Sequence, residues 1–127
     1  MTMYSIAVKK DFIANHFLIG GDWGRENEPH AHHYVLEIQI EHNQLDEHGY
    51  LVDIVKIETE LNQIVERFRD KLLNDFPEFD GSNTSIEHFS RILWDKLYAV
   101  IQPPAPGVLT IKLWENDDCW TSYKKEY

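Results

Sequence analysis

Four histidines stand close together early in the chain: His16, then His30, His32 and His33 in the stretch EPHAHHYVLEIQIE, Glu28–Glu41. The second half of that stretch alternates, with Tyr34, Leu36, Ile38 and Ile40 set against Val35, Glu37, Gln39 and Glu41. A period of two marks a strand with one dry and one wet face. On such a strand His30 and His32 point to the side of the apolar residues, while His33 points away. Two imidazoles at i and i+2 on a strand are a recurrent metal-ligand geometry, and neutral imidazole is a common zinc ligand. A catalytic zinc site needs a third protein ligand and one open position. His16 is the candidate, because it ends the first strand just before the loop that returns to His30. The same spacing arises where two histidines are merely solvated, and spacing alone does not separate the two readings.

The elements around these residues are legible from periodicity. MYSIAVKKDFIANHF, from Met3, has strand character up to Phe12, and IGGDWGRENEP, Ile19–Pro29, reads as a loop because it holds three of the chain's six glycines. After the histidine strand, NQLDEHGY reads as a turn closed by Gly49, and YLVDI as a short returning strand. From about Asp53 the period becomes helical: Ile54, Ile57, Leu61, Ile64, Val65, Phe68 and Leu72 share one face, with Asp53 as N-cap and Pro77 as the stop. A loop, EFDGSN, leads to a second helix with Ile86, Phe89, Ile92, Leu93, Leu97 and Ile101 on one side, ended by Pro103 and Pro104. Two late strands, GVLTIKLWE and CWTSYKKEY, complete the order β, β, (β), α, α, β, β. This pattern predicts an α+β sandwich with both helices on one face of an antiparallel sheet.

Bulk properties narrow the function classes. A chain of 127 residues predicts one domain, 1–127. A formal net charge of −10 argues against a nucleic-acid backbone or an anionic membrane as partner. One cysteine, Cys119, excludes an intrachain disulfide and fits a reducing compartment, and its bland reading is a quiet small hydrophobe. No run approaches the roughly 20 apolar residues of a membrane span, and the N-terminus lacks a signal-peptide pattern, so a cytoplasmic location is expected.

FIANHF (Phe12–Phe17), HAHHY (His30–Tyr34) and GYLVDI (Gly49–Ile54) together resemble the landmarks of the 6-pyruvoyl-tetrahydropterin synthase family, which includes 6-carboxy-tetrahydropterin synthases of queuosine biosynthesis. The resemblance continues through LLND (Leu72–Asp75), NTSIEHFSRILW (Asn83–Trp94) and KLWE, ending at Glu115, so it covers nearly the whole chain. It implies a tunnelling fold, a four-stranded antiparallel sheet with two helices packed on one face, assembled as trimers stacked into a homohexamer. It implies Zn2+ held by His16, His30 and His32, with His33 outside the ligand set. It also implies a small-molecule pterin substrate and lyase chemistry. Glu115 matches the glutamate that anchors the pterin ring, which a carboxylate can do by accepting from a ring N–H and an amino group together. Ser85 and Glu87 fall in the substrate-binding segment. For Glu87 the plain alternative is a first-turn acid supporting the helix dipole, and for Glu115 a charge on an edge strand.

Two departures from the family pattern bear on catalysis. The usual cysteine, four residues before the first histidine of the pair, is here Glu26 in RENEPH, and a slightly shorter loop would put Glu28 in the same space. The usual Asp–His proton relay falls on Arg69 and Asp70 in FRDKLLND, which leaves Asp70 as a carboxylate base or a solvated helix charge. Glutamate in place of the cysteine characterises a branch that cleaves the side chain of 7,8-dihydroneopterin triphosphate to 6-hydroxymethyl-7,8-dihydropterin for folate synthesis. The implied activity is a zinc-dependent pterin lyase or synthase with Glu26 as acid/base. The alternative is a catalytically silent relative that keeps zinc and pterin.

Overall fold

The computed structural model describes residues 3–127. Four strands, β1 (Tyr4–His16), β2 (His30–His42), β3 (Gly107–Trp114) and β4 (Trp120–Glu126), form one antiparallel sheet in sequence order. Two helices, α1 (Ile54–Phe68) and α2 (Ile86–Ile101), lie between β2 and β3 in the chain. Both pack on the same face, α1 against β1 and α2 against β3 and β4. Among the described residues no helix is long and apolar enough to cross a membrane.

The alternation in β2 is the reason for this layering. Tyr34, Leu36, Ile38 and Ile40 are buried under the helices, together with Leu109, Ile111 and Leu113 from β3. Burying side chains of this size contributes about 1.5–3 kcal/mol each, which ties the sheet to one face. Phe89 of α2 is the hub of the core. Its ring centroid lies 5.1 Å from Phe68, 5.6 Å from Phe79, 5.7 Å from Tyr34 and 6.2 Å from Phe12. Trp94, one turn further on, donates its indole N–H to the Leu109 carbonyl at 2.8 Å and fixes α2 to β3. Asp53 caps α1 through Val55 N–H at 3.0 Å, as its position predicts.

Three details depart from the sequence expectation. The first strand does not stop at Phe12 but runs to His16, because β2 offers partners along its whole length, ending with His16 opposite His30. YLVDI forms no strand. Its first residue is drawn into a turn in which the Asp46 carboxylate accepts from His48 and Tyr50 N–H at 2.8 and 2.9 Å, and Asp53 is taken by the helix cap. The first helix ends at Phe68, before Leu72. There the chain leaves to cover the edge of β1: Asp70 N–H donates to Ile13 O at 2.7 Å, and Lys71 O accepts from Asn15 at 2.8 Å. Asp70 takes a left-handed conformation, φ 59°, to make the turn. Short 3-10 turns follow at Leu73–Asp75 and Pro77–Phe79.

The second of these turns is braced from both helices. Arg67 of α1 grips Glu78 with two bonds of 2.6 and 2.9 Å, and Lys96 of α2 stands 3.6 Å from the same carboxylate. The hydrogen bonds from Arg67 hold the Glu78 carboxyl below its ordinary value of 4.5 despite an opposing effect of burial. A carboxyl depressed in the folded state stabilises above its unfolded value, and that stabilisation is lost as pH falls through the folded one. Glu78→Gln should therefore lower unfolding free energy by about 0.5–1 kcal/mol at pH 7. Denaturant titrations at descending pH should show the difference shrinking below about pH 4.5 and vanishing in stronger acid.

Candidate metal and ligand site

The β1–β2 ladder brings the histidines together. His16 is the partner of His30, and Ala14 the partner of His32, so all three imidazoles rise from one face at the end of two adjacent strands. Ala14, fully buried, leaves room beside His32 where a larger side chain would compete. The ring centroids are 4.5 Å apart for His16–His30, 4.9 Å for His16–His32 and 5.0 Å for His30–His32. One ligand atom from each lies within 4.8 Å of the others, so the cluster could hold a metal ion.

Hydrogen bonds to the far side of two rings aim the remaining nitrogens inward. His16 Nδ1 lies 3.1 Å from the Thr84 carbonyl and 3.0 Å from its hydroxyl. A carbonyl only accepts, so Nδ1 carries the proton and Nε2 keeps its lone pair. His30 Nδ1 likewise donates to the Glu28 carbonyl at 2.9 Å, and its buried Nε2 has no partner among the described residues. This is how metal-binding imidazoles are oriented by their outer neighbours. Burial pushes His16 below the usual histidine range, and His32 and His30 add to it, against the Thr84 carbonyl and the Glu26 charge. A neutral imidazole is the form a metal requires.

The loop between His16 and His30 is held by amides that the sequence reading assigned no role. Asn74 accepts from Phe17 N–H and donates to Phe17 O, both at 2.9 Å, and Asn83 accepts from Ile19 N–H at 2.7 Å. Within the loop Asn27 accepts from Trp23 N–H at 2.7 Å and donates to Leu18 and Gly21 carbonyls at 3.0 Å. These residues and Thr84 lie in or near the LLND and NTS landmarks, so a signal existed, but it carried no statement of contact.

The loop also contains a 3-10 turn, Gly24–Asn27, which carries Glu26. The Glu26 carboxylate is exposed and near enough to act on His16 electrostatically. Glu28 is exposed just past the turn, and it meets the cluster through its backbone carbonyl. Asp70 is exposed beside Ile13, about 10 Å along β1 from His16. Ser85 is the N-cap of α2, its hydroxyl accepting from His88 N–H at 3.1 Å, and Glu87 is an exposed first-turn acid. His33 is on the opposite face, 2.7 Å from Asp11, apart from the three-histidine cluster. Cys119 is exposed in the β3–β4 turn rather than packed as a small hydrophobe.

Glu115 follows β3 directly and is half-buried. It lines an open cavity of about 590 Å³ together with His32 and Asn116 and with Lys9, His33 and Val35, which belong to the face opposite the histidine cluster. That size suits a small molecule. Tyr34 is fully buried beside the histidines: its ring lies 5.8 Å from His32 and 6.5 Å from His16. Burial raises its phenol well above the ordinary range, and the Glu115 charge adds to the effect. The site thus offers three nitrogen donors, a carboxylate on the adjoining loop, and a second carboxylate just after β3.

The family model for 6-pyruvoyl tetrahydropterin synthase matches residues 5–126. A 6-pyruvoyl tetrahydrobiopterin synthase of Dictyostelium discoideum is 30% identical over 110 residues, covering 82% of this chain and 76% of that protein. The structure of Caenorhabditis elegans 6-pyruvoyl tetrahydropterin synthase superposes with a TM-score of 0.82 at 22% identity, over 98% of this chain and 97% of that one. A catalytic-residue mutant of the Plasmodium vivax 6-pyruvoyltetrahydropterin synthase superposes with a TM-score of 0.81 at 12% identity, over 100% of both chains. Sheet order, helix placement and nearly full-length matches agree, and the chain belongs to the 6-pyruvoyl tetrahydropterin synthase family.

Proposed function

We propose that this chain is a zinc-dependent pterin lyase or synthase acting on 7,8-dihydroneopterin triphosphate or a closely related pterin. The observation that carries the proposal is the convergence of His16, His30 and His32, two of them with Nδ1 hydrogen-bonded to carbonyls and Nε2 left for a ligand. Three neutral imidazoles with one open position form the donor set of a catalytic zinc site. When bound there, zinc would supply Lewis acidity toward the hydroxyls of the pterin side chain.

The chain's own residues supply the rest. Glu115 holds the pterin ring through a bidentate contact with its N–H and amino groups, and its place on the cavity beside His32 supports that role. Glu26 takes a proton from a side-chain hydroxyl as general base, with Glu28 as the fallback. The electrostatic reach of Glu26 to His16 supports this order. The Plasmodium vivax neighbour is described with a glutamate as its catalytic residue, so a carboxylate in such a role has precedent on this fold. Asp70 is the second candidate base, and Ser85 and Glu87 complete the proposed substrate segment. The engagement of the Ser85 hydroxyl in the α2 cap makes it the weaker contact.

The edges of the sheet support a ring. β1 and β4 each have one strand neighbour, the 70–72 segment meets the outer edge of β1 only near Ile13 and Asn15, and exposed edges invite pairing with another chain. We infer a homohexamer built from two trimers. Sedimentation should give a trimer or hexamer mass, and a stable monomer at micromolar concentration would contradict the assembly.

Two further measurements test the chemistry. Metal analysis should find about one zinc per chain in the wild type, and stoichiometric zinc should be lost from His30→Ala and His32→Ala. Zinc retained by both variants would remove the foundation of the proposal. Incubation of zinc-loaded protein with 7,8-dihydroneopterin triphosphate, followed by chromatography, should show side-chain cleavage to 6-hydroxymethyl-7,8-dihydropterin. Glu26→Ala should slow it by about 10²–10⁴-fold with pterin binding kept. Normal turnover in Glu26→Ala with loss in Glu28→Ala would transfer the role to Glu28. Tight pterin binding without turnover in the wild type would favour the catalytically silent relative, consistent with the exposed position of Asp70 and the missing relay histidine.

A further inference from the structure

Tyr34 is entirely buried, its ring stacked on Phe12 at 5.3 Å and edge-on to Phe89 at 5.7 Å. A phenylalanine would make the same contacts. Yet the chain keeps a hydroxyl there, and that hydroxyl has no hydrogen-bond partner among the described residues. A buried donor without a partner costs stability, so packing alone favours phenylalanine at this position.

An acceptor stands opposite. The β2–β3 ladder pairs Val35 with Trp114. The ladder ends there, and continuing its register by one step would set Tyr34 opposite Glu115, on the face that carries His30 and His32. Directly opposed residues have Cβ atoms about 4.5–5.5 Å apart. The Glu115 carboxylate is close enough to act on the phenol electrostatically, and it has no hydrogen bond of its own among the described residues. A donor without an acceptor therefore lies near an acceptor without a donor.

We propose that Tyr34 is a positioning residue of the ligand site, its hydroxyl donating to the Glu115 carboxylate when a pterin ring engages that carboxylate. The proposal rests on the reading of Glu115 as the pterin anchor. A carboxylate has about four lone-pair directions, so two bonds to the ring leave room for a phenol O–H. That bond fixes the plane of the carboxylate and reduces the ordering that binding requires. Tyr34 touches no reacting atom in this scheme and acts only through Glu115.

The test uses neopterin binding to the zinc-loaded chain, followed by equilibrium dialysis, in wild type, Tyr34→Phe, Glu115→Gln and the double variant. Tyr34→Phe should keep its zinc and unfold at the same denaturant concentration as wild type or a higher one. Its neopterin affinity should fall about tenfold. In the Glu115→Gln background the same substitution should change affinity much less, because partners in one hydrogen-bond network are not additive. Undiminished affinity in Tyr34→Phe, strictly additive losses, or a lowered unfolding midpoint with affinity kept would each overturn the proposal, the last by showing the hydroxyl to be satisfied within the fold. Absence of neopterin binding in wild type, or wild-type affinity in Glu115→Gln, would instead sink the pterin reading and this proposal with it.

Discussion

The register of β1 against β2 is the constraint on which the rest depends. Thirteen residue pairs run from Tyr4 opposite His42 to His16 opposite His30. Side chains alternate strictly along a strand, so a slip of one residue would turn His16 away from His30 and His32 and expose Phe12 and Ala14 to solvent. The metal-competent cluster and the hydrophobic core are therefore specified by the same ladder. The energy that holds the ladder in register comes from the core, where Tyr34, Leu36, Ile38 and Ile40 pack beneath the helices. The histidines themselves contribute little to that choice and are carried to their places by it.

What the ladder positions, the segments around α2 orient. Thr84 immediately precedes the N-cap of α2 and is fully buried, with its carbonyl and hydroxyl on His16 Nδ1. Asn83, its neighbour, pins Ile19 at the start of the loop that carries Glu26. One turn of chain thus sets a ring tautomer on one side and anchors the Glu26 loop on the other. The 3-10 turns after α1 do the same from below, with Asn74 holding Phe17 by two bonds and the Arg67–Glu78–Lys96 brace keeping those turns against both helices. The loop from Phe17 to Pro29 is long and glycine-rich, yet its path is tied at several backbone groups.

Charge is used locally rather than globally. The chain is acidic overall, at −10, and the site draws on that acidity only through particular carboxylates. Glu26 acts on His16 across the loop, and Glu115 acts on Tyr34 across two strands. The exposed Asp11–His33 pair on the other face lowers the Asp11 carboxyl through its hydrogen bond and lies apart from the histidine cluster. Sequence neighbours, His32 and His33, thus end in different chemistry because a strand sends them to opposite faces.

The sequence by itself determined the elements whose signal is periodic. The period-two strand of Tyr34–Glu41, the helical faces of α1 and α2, the Asp53 cap and the strands on either side of Glu115 could be read because each repeats a local pattern over many residues. His30 and His32 on one face followed from the same parity, and His16 from the order of landmarks. Tertiary structure decided what has no local pattern. The extension of β1 to His16 required the partner strand, and the end of α1 at Phe68 required the edge of β1, which draws Asp70 and Lys71 into backbone bonds that a helix would have kept for itself. YLVDI has strand composition, but Tyr50 is drawn into the Asp46 turn and Asp53 into the helix cap, so it forms no strand. Thr84, Asn74, Asn83 and Tyr34 gain their roles from residues at the far end of sequence separations as large as 68 positions. Periodicity reports which way a side chain faces, and only the packed fold reports what it meets there.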